Sequence, residues 1–224
     1  MVLVAAAVCP HPPLLVPDVA TGAAGELDDL RAACDRAVAA LVTARPDVLV
    51  AVGGQRPDEP VGRGFSAYGL ELDLDVGTDL PLSLLVGAWL LRETDADVRT
   101  QWQPVPAALP AQECAALGAR LSSGPQRVAL LVMGDSSARL GVQPPRGEHP
   151  EAAAFHAGVA TALRDADSAS LLALTSGRAD DLAAAGRAAW QVLAGAAGER
   201  RYTGRVLYDG APYGVGYLVA TWSP

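Results

Sequence analysis

Runs and periods of apolar residues divide the chain into alternating strand and helix segments. Residues 2–9 are continuously apolar and stop at Pro10, the pattern of a strand covered on both faces. Over residues 25–44, Leu27, Leu30, Ala33, Cys34, Ala37, Val38, Leu41 and Val42 recur at three- and four-residue spacing. Glu26, Asp28 and Asp29 fall in the first turn of that helix, where the positive end of its dipole favours acids, and Pro46 ends it. Residues 47–52 read as a second buried strand. A strand–helix–strand unit of this kind predicts a right-handed crossover between parallel strands.

Residues 53–77 read as a long loop with one edge strand, because alternation is confined to Leu70, Leu72, Leu74 and Val76. The pattern then predicts a helix over 80–92, with Pro81 tolerated in its first turn, a strand over 98–105 and a helix over 111–121. A third buried strand follows over 127–133, then helices over 150–164 and 179–197 and strands over 206–208 and 215–222. Alternation of this kind, with no repeat or low-complexity linker, predicts a single α/β domain over residues 1–224 with a mostly parallel central sheet and helices on both faces. The proline- and glycine-rich loop after residue 133 matters most, because ligands in such sheets gather beyond the carboxyl ends of the strands.

Composition narrows the function. At 224 residues the chain has the size of one domain, and with 50% hydrophobic and 19% charged residues it has ample material for a core, which excludes a disordered protein. All 17 basic residues are arginine, and a formal charge of −8 argues against a phosphate-backbone partner, so no nucleic acid is expected. Cys9, Cys34 and Cys114 are odd in number, widely spaced and without a CxxC, which points to neither a disulfide framework nor a zinc site and fits a reducing, cytoplasmic setting. The N-terminal apolar run has no basic head and reads as a strand rather than a leader. No uncharged apolar run approaches the roughly eighteen residues that span a bilayer, so no membrane partner is expected.

Three histidines carry most of the candidate chemistry. His11 follows the first strand between prolines that stiffen its backbone, a good place from which to present an imidazole to a metal. His149 sits beside Glu148 in the loop, and His156, two helical turns later, is expected on a solvated helix face, too far along for both imidazoles to grip one ion. Ser136 and Ser137 stand where a nucleophile could stand, but without a GxSxG elbow or an assigned histidine. Neither Gly62, Gly64 and Gly69 nor Gly210, Gly214 and Gly216 has the spacing and helix context of a nucleotide loop.

Taken together, the segments Val8-Cys9-Pro10-His11-Pro12-Pro13, Gly134-Asp135-Ser136-Ser137-Ala138-Arg139-Leu140 and Tyr208-Asp209-Gly210-Ala211-Pro212-Tyr213-Gly214-Val215-Gly216-Tyr217 resemble the class III extradiol ring-cleavage dioxygenase superfamily, in order and across the whole chain. The resemblance implies an α/β domain with mononuclear non-haem Fe(II), or another divalent metal, held by two histidines and a carboxylate that leave open positions for substrate and dioxygen. It places His11 at the first ligand, Gln55 at the second, where the family has histidine, and Asp209 at the carboxylate. Ala138 occupies the position of the family's acid/base histidine, so Glu148 or His149 would have to carry the proton. One reading is therefore a non-catalytic relative that keeps the fold and the pocket and binds a small aromatic ligand or a partner, including a second copy of itself. The other is an active oxidoreductase, a ring-cleaving dioxygenase with the modified ligand set His11, Gln55 and Asp209.

Overall fold

The computed structural model describes residues 2–92 and 98–224. Strand β1 (Val2–Cys9) is buried at every position after the first, because both faces of the sheet are covered. Helix α1 (Asp28–Thr43) follows, burying Leu30, Ala33, Cys34, Ala37, Val38 and Leu41, the stripe that its periodicity predicts. Next come β2 (Val48–Gln55), α2 (Leu82–Arg92), β3 (Thr100–Pro106), α3 (Ala111–Leu121) and β4 (Arg127–Met133). The chain closes with α4 (Ala152–Arg164), α5 (Ser168–Leu172), α6 (Ser176–Asp181), α7 (Arg187–Ala197), β5 (Thr203–Gly210) and β6 (Tyr217–Ser223).

The six strands form one sheet in the order β3-β2-β4-β1-β6-β5. Pairs β1/β4, β2/β4 and β2/β3 are parallel, while β1/β6 and β5/β6 are antiparallel. The fold is thus the expected α/β arrangement, with an antiparallel hairpin added at one edge. Alternating side chains feed two cores. Leu3, Ala6, Val8, Val50, Leu130 and Leu218 face α3 to α7, where Trp190 and Val159 are buried. Ala5, Ala7, Cys9, Ala51, Leu131, Met133, Tyr217 and Val219 face α1 and α2, meeting Leu41 and Leu84. Among the described residues no helix is long and apolar enough to cross a membrane.

Three local expectations differ from the structure. The edge strand around 70–76 is reduced to an isolated bridge between Gly64 and Asp73. Leu70, Leu72, Leu74 and Val76 do alternate inward, but they lie against the core on the α1 and α2 side rather than extending the sheet. Residues 179–197 are not one helix, because the chain breaks between α6 and α7, where Ala183 takes a φ of +50°. At that break Gly186 packs so tightly that a Cβ would stand 2.1 Å from the Trp190 ring, which only glycine allows. The third difference is α5, which the apolar spacing did not predict. Its start is set by Asp167, whose carboxylate accepts the N–H and hydroxyl of Ser170.

Candidate functional site

Beyond the carboxyl ends of β1, β2 and β4 lies a cleft of about 620 Å³. His11, Pro12 and Pro13 line it from the segment after β1, Gly54 and Arg56 from the end of β2, and Asp135 and Ala138 from the segment after β4. Ala183 and Ala185 contribute from the α6–α7 break, and Val215 and Tyr217 from the start of β6. The position follows from the topology, since parallel strands deliver successive loops to one end of the sheet.

The floor of the cleft is polar and local in design. Cys9 pairs with Met133 across β1 and β4, and His11 and Asp135 each stand two residues beyond those strand ends. The backbone N–H of His11 donates to Asp135 Oδ1 at 2.7 Å, and His11 Nδ1 lies 3.6 Å from the same oxygen. His11 is only 8% exposed, and its Nδ1 has no hydrogen-bond partner. The Ser136 N–H donates to Gly216 O at 2.8 Å and the Gly216 N–H to Ser137 O at 2.9 Å, which ties the segment after β4 to the start of β6. Tyr217 thereby joins the cluster, 3% exposed. Burial first, and then the nearby Asp135 carboxylate, push its phenol well above the ordinary tyrosine range, so it remains a protonated donor.

Two arginines stand nearer solvent. The loop carrying Arg56 is pinned by Glu59, whose carboxylate accepts the Arg56 and Leu82 N–H groups at 3.2 Å each. Arg146 comes from the loop after β4, where its own N–H donates to Ala138 O at 3.3 Å. Both residues line the same cleft, together with Asp58 and Glu59.

Of the residues that the sequence singled out, His11 and Ala138 meet in this cleft. Gln55, half-buried, ends β2 opposite Pro106, and its carbonyl accepts the Ala107 N–H at 2.8 Å; Gly54 and Arg56, on either side of it, reach the cleft lining. Asp209 lies on β5, at the far edge of the sheet, and its Oδ1 is 2.8 Å from His156 Nε2. Since α4, which carries His156, packs on the face opposite α1, the Asp209 carboxylate is committed to His156 on the α4 face and is not among the residues that line the cleft. Glu148 and His149 line a separate depression with Arg139, and His149 Nδ1 accepts the Glu151 N–H at 3.2 Å.

His156 is not on a solvated helix face. It is 7% exposed, with Nδ1 turned toward Gly216, where a Cβ would come within 2.3 Å. The helix turns it inward because Ala152, Phe155, Val159 and Ala160 place the buried stripe on that side. Ser136 and Ser137 are fully buried, and the Ser137 hydroxyl donates to Leu182 O at 2.8 Å, so neither is presented as a nucleophile.

The donor set does not fit the ferrous site implied by the resemblance. Among the described residues, no three His, Cys, Asp or Glu side chains gather as a metal-holding group, and at His11 the imidazole has a single carboxylate, Asp135, beside it. A facial triad needs three such ligands. Asp135 and Tyr217 were not singled out as functional residues from the sequence, although both stand in the segments that carry the resemblance. A charged residue two positions after a buried apolar run was the available signal for Asp135.

No family model matches the chain, and no curated protein matches it. A solved structure does: the crystal structure of uncharacterized protein JW3007 from Escherichia coli K12 aligns with a TM-score of 0.55 at 14% sequence identity, over 97% of this chain and 99% of that one. At that identity the likeness concerns the fold alone: this chain shares its α/β architecture, end to end, with that protein.

Proposed function

We propose that the protein is a small-molecule-binding relative of the class III extradiol dioxygenases that does not carry out iron-dependent ring cleavage. The observation that carries this reading is the division of the implied ligand set His11, Gln55 and Asp209: His11 lines the cleft beside Ala138, whereas Gln55 and Asp209 do not line it and Asp209 is bonded to His156. An alanine methyl cannot move a proton, and loss of a general acid/base typically costs about 10²- to 10⁴-fold. What remains is a cleft of the size that takes small organic ligands, with apolar walls and a few convergent polar groups. A small aromatic compound suits Pro12, Pro13, Leu82 and Val215, with hydrogen bonds available at His11, Asp135 and Tyr217.

The test is an anaerobic Fe(II) titration of untagged protein, followed by oxygen uptake with catechol, beside a ligand-observed NMR screen of small aromatic compounds. The expected result is no stoichiometric iron, no ring cleavage, and at least one saturable ligand displaced when Ala138→Trp fills the cleft. Stoichiometric Fe(II) with ring cleavage would overturn the reading in favour of a modified metal site. Absence of any ligand would overturn it in favour of a purely structural role.

A further inference from the structure

We infer that the His11, Asp135 and Tyr217 cluster performs metal-independent proton transfer next to a carbonyl, with a small 2-oxo carboxylic acid as substrate. This rests on the proposal that the cleft binds a small molecule and adds a reaction to it. The three side chains come from adjoining elements and share one cleft. His11 is nine-tenths buried, with an unpartnered Nδ1 turned to a carboxylate 3.6 Å away. That carboxylate favours the tautomer with hydrogen on Nδ1, which leaves the Nε2 lone pair as the base. Asp135 acts here as a positioning residue. The buried Tyr217 hydroxyl stays protonated and supplies the hydrogen bond that a developing enolate oxygen needs. Arg56 and Arg146, on two loops that line the cleft, are the cations there that can pair with the carboxylate of such a substrate, and Asp58 and Glu59, which line it too, restrict where that carboxylate can sit.

The step balances without an added reagent. The imidazole takes the proton from the carbon next to the ketone, the C–H electron pair becomes the C=C bond, and the C=O pair moves to oxygen, which accepts the Tyr217 hydrogen bond. Return of the proton from the imidazolium to the carbon restores the ketone, and delivery to the oxygen gives the enol. Nothing is oxidised or reduced.

The experiment follows exchange of the methylene protons of phenylpyruvate for deuterium by ¹H NMR in D₂O, with saturation-transfer NMR reporting binding of the same compound. The expected result is exchange well above buffer, lowered about 10²- to 10⁴-fold in His11→Ala and at least about tenfold in Tyr217→Phe. Asp209→Asn should leave it unchanged. In Asp135→Asn, ¹⁵N spectra of His11 should show loss of the Nδ1–H tautomer together with slower exchange. Thermal unfolding checks each variant, and His11→Gln replaces His11→Ala if the latter does not fold. Binding without exchange above buffer would overturn this inference and leave the binding proposal standing. Neither binding nor exchange would overturn both.

Discussion

Two imidazole–carboxylate pairs flank the same sheet and differ in nearly everything except composition. His11 and Asp135 sit beyond the carboxyl ends of β1 and β4, separated by 3.6 Å, and open onto a cleft. His156 and Asp209 lie on the α4 side, in direct contact at 2.8 Å, with the Asp209 side chain 44% exposed at an edge strand. The first pair has a short loop-end backbone bond holding the acid in place and an imidazole with room before it. The second joins α4 to β5, and its imidazole is buried against Gly216. Identical side chains thus give a reactive arrangement where parallel strands end and a tie between helix and sheet where the sheet closes. The difference lies in access rather than in the residues themselves.

The largest expected contrast is in proton transfer. His11→Ala should lower phenylpyruvate exchange about 10²- to 10⁴-fold, whereas His156→Ala should change it by less than about threefold, since that imidazole is bonded to Asp209 and does not line the cleft. Equal losses in both variants, measured by the same NMR exchange rates, would erase the distinction between the two pairs.

Stability should reverse the order. Gly216→Ala drives a methyl to within 2.3 Å of His156 Nδ1 and 3.0 Å of Ser136 Cβ, and overpacking of this kind costs about 1–3 kcal/mol. For a chain of this size that lowers Tm by several degrees, roughly 2–4 °C per kcal/mol. His11→Ala, at the edge of a cleft with space beside it, should lower Tm less. Differential scanning calorimetry on the two variants makes the comparison.

A smaller effect separates the faces at alkaline pH. Tyr217 has a phenol pKa raised by burial and by Asp135. Its contribution to stability is fully present below the ordinary tyrosine pKa of about 10 and is lost as pH rises through the elevated folded value. Denaturant midpoints above pH ~10 should therefore fall more steeply in the native protein than in Tyr217→Phe. Parallel slopes would mean that the hydroxyl is not held in a buried, acid-adjacent place. Smallest of all is Asp209→Asn. The carboxylate is 44% exposed, the amide keeps an oxygen of the same shape beside His156 Nε2, and a single hydrogen bond contributes about 0.5–1.5 kcal/mol, so Tm should shift by no more than a few degrees.

Much of the framework was legible along the chain, for physical reasons that can be traced to particular segments. Uninterrupted apolar runs at 2–9 and 128–133 can be satisfied only by burial on both faces, and the stripe from Leu30 to Leu41 only by a helix lying on a sheet. Proline at 46 and acids at 28 and 29 set that helix's ends. Local chemistry also marks His11 as a residue presented at a strand end. Where the local signal competes with distant packing, it fails. The alternation of Leu70 to Val76 is real but is spent on the core, and the expected helix over 179–197 gives way to the tight seating of Trp190 on Gly186.

Which residues meet is a separate matter, because a side chain's neighbours depend on strand order and on the face to which it points, and neither is encoded locally. That Asp135 and Tyr217, 124 and 206 residues along the chain from His11, share its cleft becomes visible only once β4 and β6 are seen to flank β1. A solvated place for His156 follows from its helix position alone, which does not reveal that Asp209 arrives from the last hairpin. Covalent order and side-chain period determined the elements and their burial, while long-range pairing decided which imidazole faces a cleft and which holds the fold together.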